Sequence, residues 1–303
     1  MSAATAHCAT TPIQKFLNAQ APGYRSLQPV SSKDLRGTHL VDADSMNPAT
    51  NRCFRGELDE EVYASFSDYT RTYSGGFTAG TNLARDFGGA LGAAGAAVEG
   101  RRTFNGAITL SAIEEYHLKN VFFDPSSVCA QDDQSFAILR SGEAMYTVVT
   151  RALKAGAVSA SSADRSHLNL KLAVSEFGGK LEKSEEDAQS WRGVNLFFAA
   201  LPQMYRVAVK EVQQEVGQGQ EMTLGRCSAA VSAYSPVRKV WNGSINCQGG
   251  ENFIFRNQPV RQWAGAGLSQ GGVSYGVKFA PLASKPGVFA AHLIQWTAIE
   301  TND

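Results

Sequence analysis

The sequence predicts an α+β fold that is mostly β: a twisted antiparallel sheet with long hairpins and a few peripheral helices, plus a small all-β C-terminal module. Three observations lead there. Apolar and polar residues alternate with a period of two in several stretches, most clearly Ile108 to Ala112, Leu168 to Ser175 and Val194 to Phe198, which puts one kind of side chain on each face of a strand. Charged residues are only 18% of the 303 and glycines number 29, a balance that suits strands joined by many turns. Beyond Met222 the apolar runs become short and are divided by Gly, Pro and Asn, with Trp241, Trp263 and Trp296 among them.

Thr11-Pro12 followed by Ile13, Phe16 and Leu17 predicts a short amphipathic helix to about Gln20, with Pro at its first position and Pro22-Gly23 as its stop. Tyr24 to Val41 breaks at Pro29 and Gly37 and reads as a strand, a turn and a second short strand. Between Tyr73 and Leu118 a Gly/Ala-rich middle around Gly88 to Ala97 is flanked by strand-like alternation. On its C-terminal flank Ile108, Leu110 and Ala112 fall on one face, Thr109 and Ser111 on the other. The middle reads as strand plus turn, with a small-residue helix as the alternative. Met145 to Thr150 is a β-branched run that predicts a buried strand.

Leu168, Leu170, Leu172 and Val174 alternate with Asn169, Lys171, Ala173 and Ser175 before a Gly178-Gly179 turn and a charged tail. The strands of this excursion approach the roughly 9 to 11 residues that cross a bilayer as β, although an ordinary two-faced sheet in water has the same alternation. Val194, Leu196 and Phe198 give a further strand, Pro202 interrupts it, and Tyr205, Val207 and Val209 resume it. The Gln/Glu/Gly-rich stretch Gln213 to Gln220 reads as a linker. It divides the chain into domains 1–215 and 216–303.

The 28 basic residues balance the 28 acidic ones and no Lys/Arg run tracks a phosphate backbone, so nucleic acid is excluded as the expected partner. The N-terminus has neither a basic start nor an apolar run of signal-peptide length, and no apolar stretch approaches the roughly 18 residues of a membrane-spanning helix. The expected location is cytoplasmic. Five scattered cysteines without a CxxC pair (Cys8, Cys53, Cys129, Cys227, Cys247) read as mostly reduced and structural, with Cys227 facing Cys247 across neighbouring strands as the lesser reading.

Catalytic and cofactor chemistry finds little to stand on. The five histidines are far apart, and no Walker loop or GxGxxG is present. The nearest approach to a nucleophile with its base, Cys129 with His117 and Asp124, reads as a coincidence of polar residues. Asn242-Gly243-Ser244 matches a glycosylation sequon but reads first as a turn. No metal or cofactor is expected, and no enzyme.

The order of features resembles a family. A short first helix followed by Gly23-Tyr24-Arg25-Ser26-Leu27-Gln28-Pro29-Val30-Ser31-Ser32 resembles the opening of the gasdermin pore-forming domain, in its bacterial type. The resemblance continues through a Gly/Ala-rich strand pair at 77–113, Phe123-Asp124-Pro125, and a Leu/Arg-containing helix near 134–141. Met145-Tyr146-Thr147-Val148-Val149-Thr150-Arg151-Ala152-Leu153-Lys154 is similar to the Tyr-Val-Val-Thr-x-x-Leu strand entering the second gasdermin hairpin, and Val194 to Val209 to the closing strand pair. About residues 12–215 are covered, and none of the motifs is catalytic.

The resemblance implies a pore-forming protein of the cell-death type, held inactive before release, that oligomerises and inserts two β-hairpins, about 77–113 and 157–198, into a bilayer. It implies membrane lipids, anionic ones, as partners, a homo-oligomer when active, an activating protease, and a protein that is cytoplasmic until it joins a membrane. Ile108, Leu110, Leu168, Leu170, Leu172 and Val174 become the lipid-facing candidates. Arg101, Arg102, Lys171, Lys180 and Lys183 become the lipid head-group contacts, at about 1 kcal/mol each near an anionic surface. Cys8 becomes the candidate lipidation site, as some bacterial members carry a lipidated cysteine near the N-terminus. The chain departs from the family in a first helix whose only basic residue is Lys15, and in a C-terminal part far longer than the short inhibitory segment of bacterial members. That module would inhibit, recognise a target, or be unrelated to the pore. The competing reading is a soluble, non-catalytic β-rich binding protein with an aromatic groove around Trp241 or Trp263, residues that otherwise belong to a core.

Overall fold

In a computed structural model of the chain, the described residues are 11–42, 46–49, 52–59, 61–73, 106–131, 133–142, 144–162, 178, 180–182, 188–268 and 271–301. Helix α1 (Pro12–Gln20) starts as its sequence predicts: the Thr11 side chain accepts a hydrogen bond from the Gln14 amide at 3.2 Å, and Pro12 occupies the first helical position. Ile13 and Leu17, one turn apart, are its buried residues. The chain then turns at Gly23 into β1 (Arg25–Ser31) and β2 (His39–Asp42), followed by the short strands β3 (Asn47–Pro48), β4 (Phe54–Leu58), β5 (Ala64–Phe66) and β6 (Tyr69–Tyr73).

Three long strands make the frame: β7 (Gly106–Phe123), β8 (Met145–Ser162) and β10 (Ala188–Gly217), with β9 (Lys180–Glu182) between the last two in sequence. All pairings are antiparallel, and β8 lies between β7 and β10. The outer edge of β7 is covered in succession by β6, β5 and β4. The outer edge of β10 is covered by β9 at Ser190–Arg192, by β1 near Phe197–Ala200 and by β17 (Val288–Thr301) from Met204 to Gly217. Between β7 and β8 the chain forms α2 (Val128–Gln131) and α3 (Asp133–Ser141), the latter where the family resemblance expected a helix.

The C-terminal part is a two-layer sandwich. One layer is the separate sheet of β11 (Glu221–Leu224), β12 (Cys227–Ser235), β13 (Val240–Cys247) and β14 (Asn252–Pro259). The other is β15 (Ala264–Gly267), β16 (Val273–Pro281) and β17, which continue the large sheet through β10. Val231, Trp241 and Ile245 of the first layer pack against Val277, Phe279, Phe289 and Leu293 of the second in one buried cluster, which also takes in Val216 of β10. The division expected at 215/216 falls within β10, two residues before its end.

The structure corrects several local readings. Pro202 does not interrupt a strand: it lies inside β10 at a shift of register against β8, between the last β1 partner, Ala200, and the first β17 partner, Met204. At such a bulge a missing N–H breaks no ladder bond. Gln213 to Gly217 is strand rather than linker, paired residue by residue with β17, and its polar composition reflects a solvent-facing strand. Ala112 leaves the face of Ile108 and Leu110, because a positive φ of 50° at Ala112 puts a bulge there and Ile113 takes the buried position. Asn242-Gly243 sits inside β13, where a Cβ on Gly243 would come within 2.3 Å of the Ala230 carbonyl oxygen. The cysteines are not mostly reduced either, since Cys53 is bonded to Cys129 across 76 residues and Cys227 to Cys247 across paired strands.

Candidate functional site

The four strands β6, β7, β8 and β10 end together on one line. Tyr73 lies opposite Gly106, Gly106 opposite Ser162, and the neighbouring Ser161 opposite Ala188. From this line residues 74–105 connect β6 to β7, and residues 163–187, which include β9, connect β8 to β10.

Inward from the line the register sorts side chains by chemistry. One cross-strand row is Thr70, Thr109, Ser159 and Ser190; the next is Tyr69, Leu110, Val158 and Trp191. Successive rows face opposite sides of a sheet, so four hydroxyls stand on one face and four large apolar groups on the other. On the hydroxyl face, Thr70 and Thr109 are 2.9 Å apart through their Oγ1 atoms. On the apolar face, Ile108, Leu110, Val158, Ala160 and Trp191 are buried in one cluster beneath α1, together with Ile13, Leu17, Ala21 and Tyr24. The ring of Phe16 meets that of Tyr69 at 5.2 Å between centroids.

A polar clamp holds α1 to this face. The Gln14 side-chain amide donates to the Tyr24 carbonyl oxygen at 2.8 Å, and its oxygen accepts from the Ser26 amide at 2.9 Å, tying the helix to β1. The Tyr24 hydroxyl donates to the buried Glu115 carboxylate at 2.6 Å, which His117 meets at 3.0 Å and Arg151 at 3.6 Å. Burial pushes the Glu115 carboxyl up, but the hydrogen bonds from Tyr24 and His117 and the charges of His117 and Arg151 outweigh it and hold it below 4.5. Burial first, and the Glu115 carboxylate second, push the Tyr24 hydroxyl far above its ordinary value.

Among the lipid-facing candidates, Ile108 and Leu110 lie on the apolar face, both fully buried under α1. Leu168, Leu170, Leu172 and Val174 lie outside the described residues, as do Arg101, Arg102, Lys171, Lys183 and Cys8. Lys180 opens β9, exposed, opposite Arg192. Sequence reasoning missed Trp191, the largest apolar group of the face, and the hydroxyl row. The alternation Val158-Ser159-Ala160-Ser161 carried part of that signal, and cross-strand register supplied the rest.

The other candidates are not assembled into sites. Cys129 is in a disulfide, His117 meets Glu115, and Asp124 is paired with Arg55 and with Ser126. Trp241 and Trp263 are 1% and 5% exposed, so they belong to the core and line no open groove. Among the described residues no cluster of His, Cys, Asp and Glu could hold a metal ion, and no helix is long and apolar enough to cross a membrane.

No protein-family model matches this chain, and no curated protein matches it in sequence. Among solved structures, it is similar to a bacterial gasdermin from Bradyrhizobium tropiciagri, with a TM-score of 0.37 and 14% identity, over 65% of this chain and 87% of that one.

Proposed function

We propose that this chain is a pore-forming protein that oligomerises on a lipid bilayer and continues the strands ending at Tyr73, Gly106, Ser162 and Ala188 into two membrane-crossing β-hairpins. The observation that supports this reading is the two-faced ribbon of four aligned strand ends, apolar on one side and hydroxyl-lined on the other. A bilayer leaves no backbone group unpaired, so strands cross it only in a closed barrel with apolar faces to lipid and polar faces to the lumen. The connection 74–105 supplies 32 residues, room for two strands of the roughly 9 to 11 that a crossing needs. One monomer cannot close such a barrel, so the active form is a homo-oligomer.

In this reading Leu168, Leu170, Leu172 and Val174 extend the lipid-facing side that Ile108 and Leu110 begin. Arg101, Arg102, Lys171, Lys180 and Lys183 meet anionic head groups. The C-terminal sandwich holds the chain inactive, because β17 occupies the β10 edge from Met204 to Gly217. A protease that cut the Gln218-Gly219 turn would leave that ladder intact, so release requires β17 to peel from β10 as well.

The test is dye release from vesicles containing anionic lipid, with the full chain intact and after cleavage at an introduced protease site in the Gln218-Gly219 turn. Leakage with ring-shaped oligomers on the vesicles is expected, and Leu170→Asp should abolish leakage while leaving the folded protein unchanged. A folded, cleaved protein that never leaks vesicles would overturn the reading.

A further inference from the structure

About 35 Å along the strands from the hairpin end, at 3.3 Å per residue, the sheet carries a second arrangement of polar groups. His117 of β7 lies opposite Arg151 of β8, and Tyr205 of β10 lies opposite Glu300 of β17. These residues, with Thr150 and Gln203, line a cavity of about 380 Å³ whose rim is the Gly271-Gly272 turn. Gly272 has a φ of 76° and lies so close to β17 that a Cβ would meet the Ala298 carbonyl oxygen at 2.7 Å, so the backbone itself forms that wall.

The cavity is built rather than left over. Thr150, itself buried, donates its hydroxyl to Gln203 Oε1 at 2.5 Å, and Gln203 Nε2 donates to Glu300 Oε1 at 2.7 Å. This chain of hydrogen bonds holds one oxygen of the Glu300 carboxylate, a residue that lines the cavity. Arg151 has the Glu115 carboxylate as its ion-pair partner only at 3.6 Å. Tyr205, 6% exposed, lines the cavity together with both charged residues. Burial, and after it the charge of Glu300, push its hydroxyl up to about 12, with Arg151 acting against them. It therefore stays protonated, a donor on the wall of a polar cavity.

We propose that this cavity binds a small zwitterion with a phosphate at one end and a primary ammonium at the other. Arg151 takes the phosphate as a charge-assisted donor, the Tyr205 hydroxyl donates to a second phosphate oxygen, and the Glu300 carboxylate accepts from the ammonium. The volume lies at the small end of the roughly 300 to 1,000 Å³ of ligand pockets, enough for an aminoalkyl phosphate. Such a group exists free and as a phospholipid head group. Because Arg151 also faces Glu115, an occupied site draws on the same cation that steadies the Tyr24 clamp of α1.

Isothermal titration of the full chain with O-phosphoethanolamine tests the site. One-to-one binding is expected, about tenfold or more tighter than inorganic phosphate or ethanolamine alone, since each lacks one of the two charged contacts. Glu300→Gln keeps an acceptor for Gln203 and should weaken binding about tenfold, as should Arg151→Met; Tyr205→Phe keeps the packing and should weaken it several-fold. If Arg151→Met fails to fold, the Glu300 and Tyr205 variants still decide. No binding at about 10 mM, well above the weak end of ligand affinities, overturns the proposal, as does binding that survives both Glu300→Gln and Tyr205→Phe unchanged. Sedimentation with phosphatidylcholine vesicles, with and without phosphatidylethanolamine, separates the sources. Vesicle binding that needs phosphatidylethanolamine and Arg151 assigns the head group, and binding of the soluble compound alone assigns the free molecule.

Discussion

Strand β10 passes through two environments. Over Val194 to Ala200 its apolar face is closed by one nine-residue helix that inserts Ile13 and Leu17. From Met204 to Gly217 it is bonded along its edge to β17, and its last turn joins a sandwich whose core holds Trp241, Tyr275, Phe279 and Phe289. The sandwich is also cross-linked by Cys227–Cys247. Both ends bury aromatic side chains, the hairpin end Tyr24, Tyr69, Tyr73, Trp191 and Phe198, so what separates them is the long β10–β17 ladder and the cross-link at the sandwich end. The hairpin end depends on a helix and a hydrogen-bonded clamp, and local opening draws on regions of that kind. The proposed function, in which the strand ends rearrange while the body stays folded, would draw on this asymmetry.

The comparison can be broken from the strong side first. Trp241→Ala removes the largest buried group of β13 and should cost about 4 kcal/mol, read as a lower denaturant midpoint of the whole chain. If only the C-terminal strands lose structure, the two ends are less coupled than the continuous β10 implies. Next, replacing Cys227 and Cys247 together by Ser reopens a loop of 20 residues and should cost about 3 kcal/mol by loop-closure entropy. Adding a reductant to the native protein should give a matching fall in melting temperature.

From the weak side, Leu17→Ala should cost about 2 to 3 kcal/mol and act locally. Amide exchange should quicken in α1 and over Ile108–Leu110 and Val158–Ala160, and stay unchanged in β12 and β13. Equal acceleration at both ends would remove the asymmetry. The smallest change is Tyr24→Phe, which deletes one hydrogen bond to a buried carboxylate and should cost about 1 to 2 kcal/mol. Glu115 has a folded pKa held below 4.5, so its contribution is present above that value and is lost as pH falls through the folded pKa. Acid titration should therefore loosen α1 first. In Tyr24→Phe this acid-sensitive part of the stability should shrink, measured by the same exchange experiment below pH about 4.

Much of the N-terminal half was legible because its signals are local. The Thr11-Pro12 start, the Ile13 and Leu17 spacing and the Gly23 stop describe α1, and the Ile108-Thr109-Leu110-Ser111 alternation describes the end of β7. Where a reading failed, a non-local partner had overruled it. Gln213 to Gly217 is polar because it faces solvent, yet it is strand because β17 is beside it. Pro202 looked like a stop until β8, β1 and β17 placed it at a bulge.

The sequence by itself determined which residues alternate, where α1 begins and ends, that strands outnumber helices, and that no Walker loop or GxGxxG is present. Only the tertiary structure decided which strands are neighbours, and with that the hydroxyl row from Thr70 to Ser190, the Cys53–Cys129 bond, the Tyr24–Glu115 clamp and the cavity between Arg151 and Glu300. The reason is physical: alternation follows from the backbone geometry of one strand, whereas these contacts depend on cross-strand register, which hydrogen-bond ladders between distant segments establish.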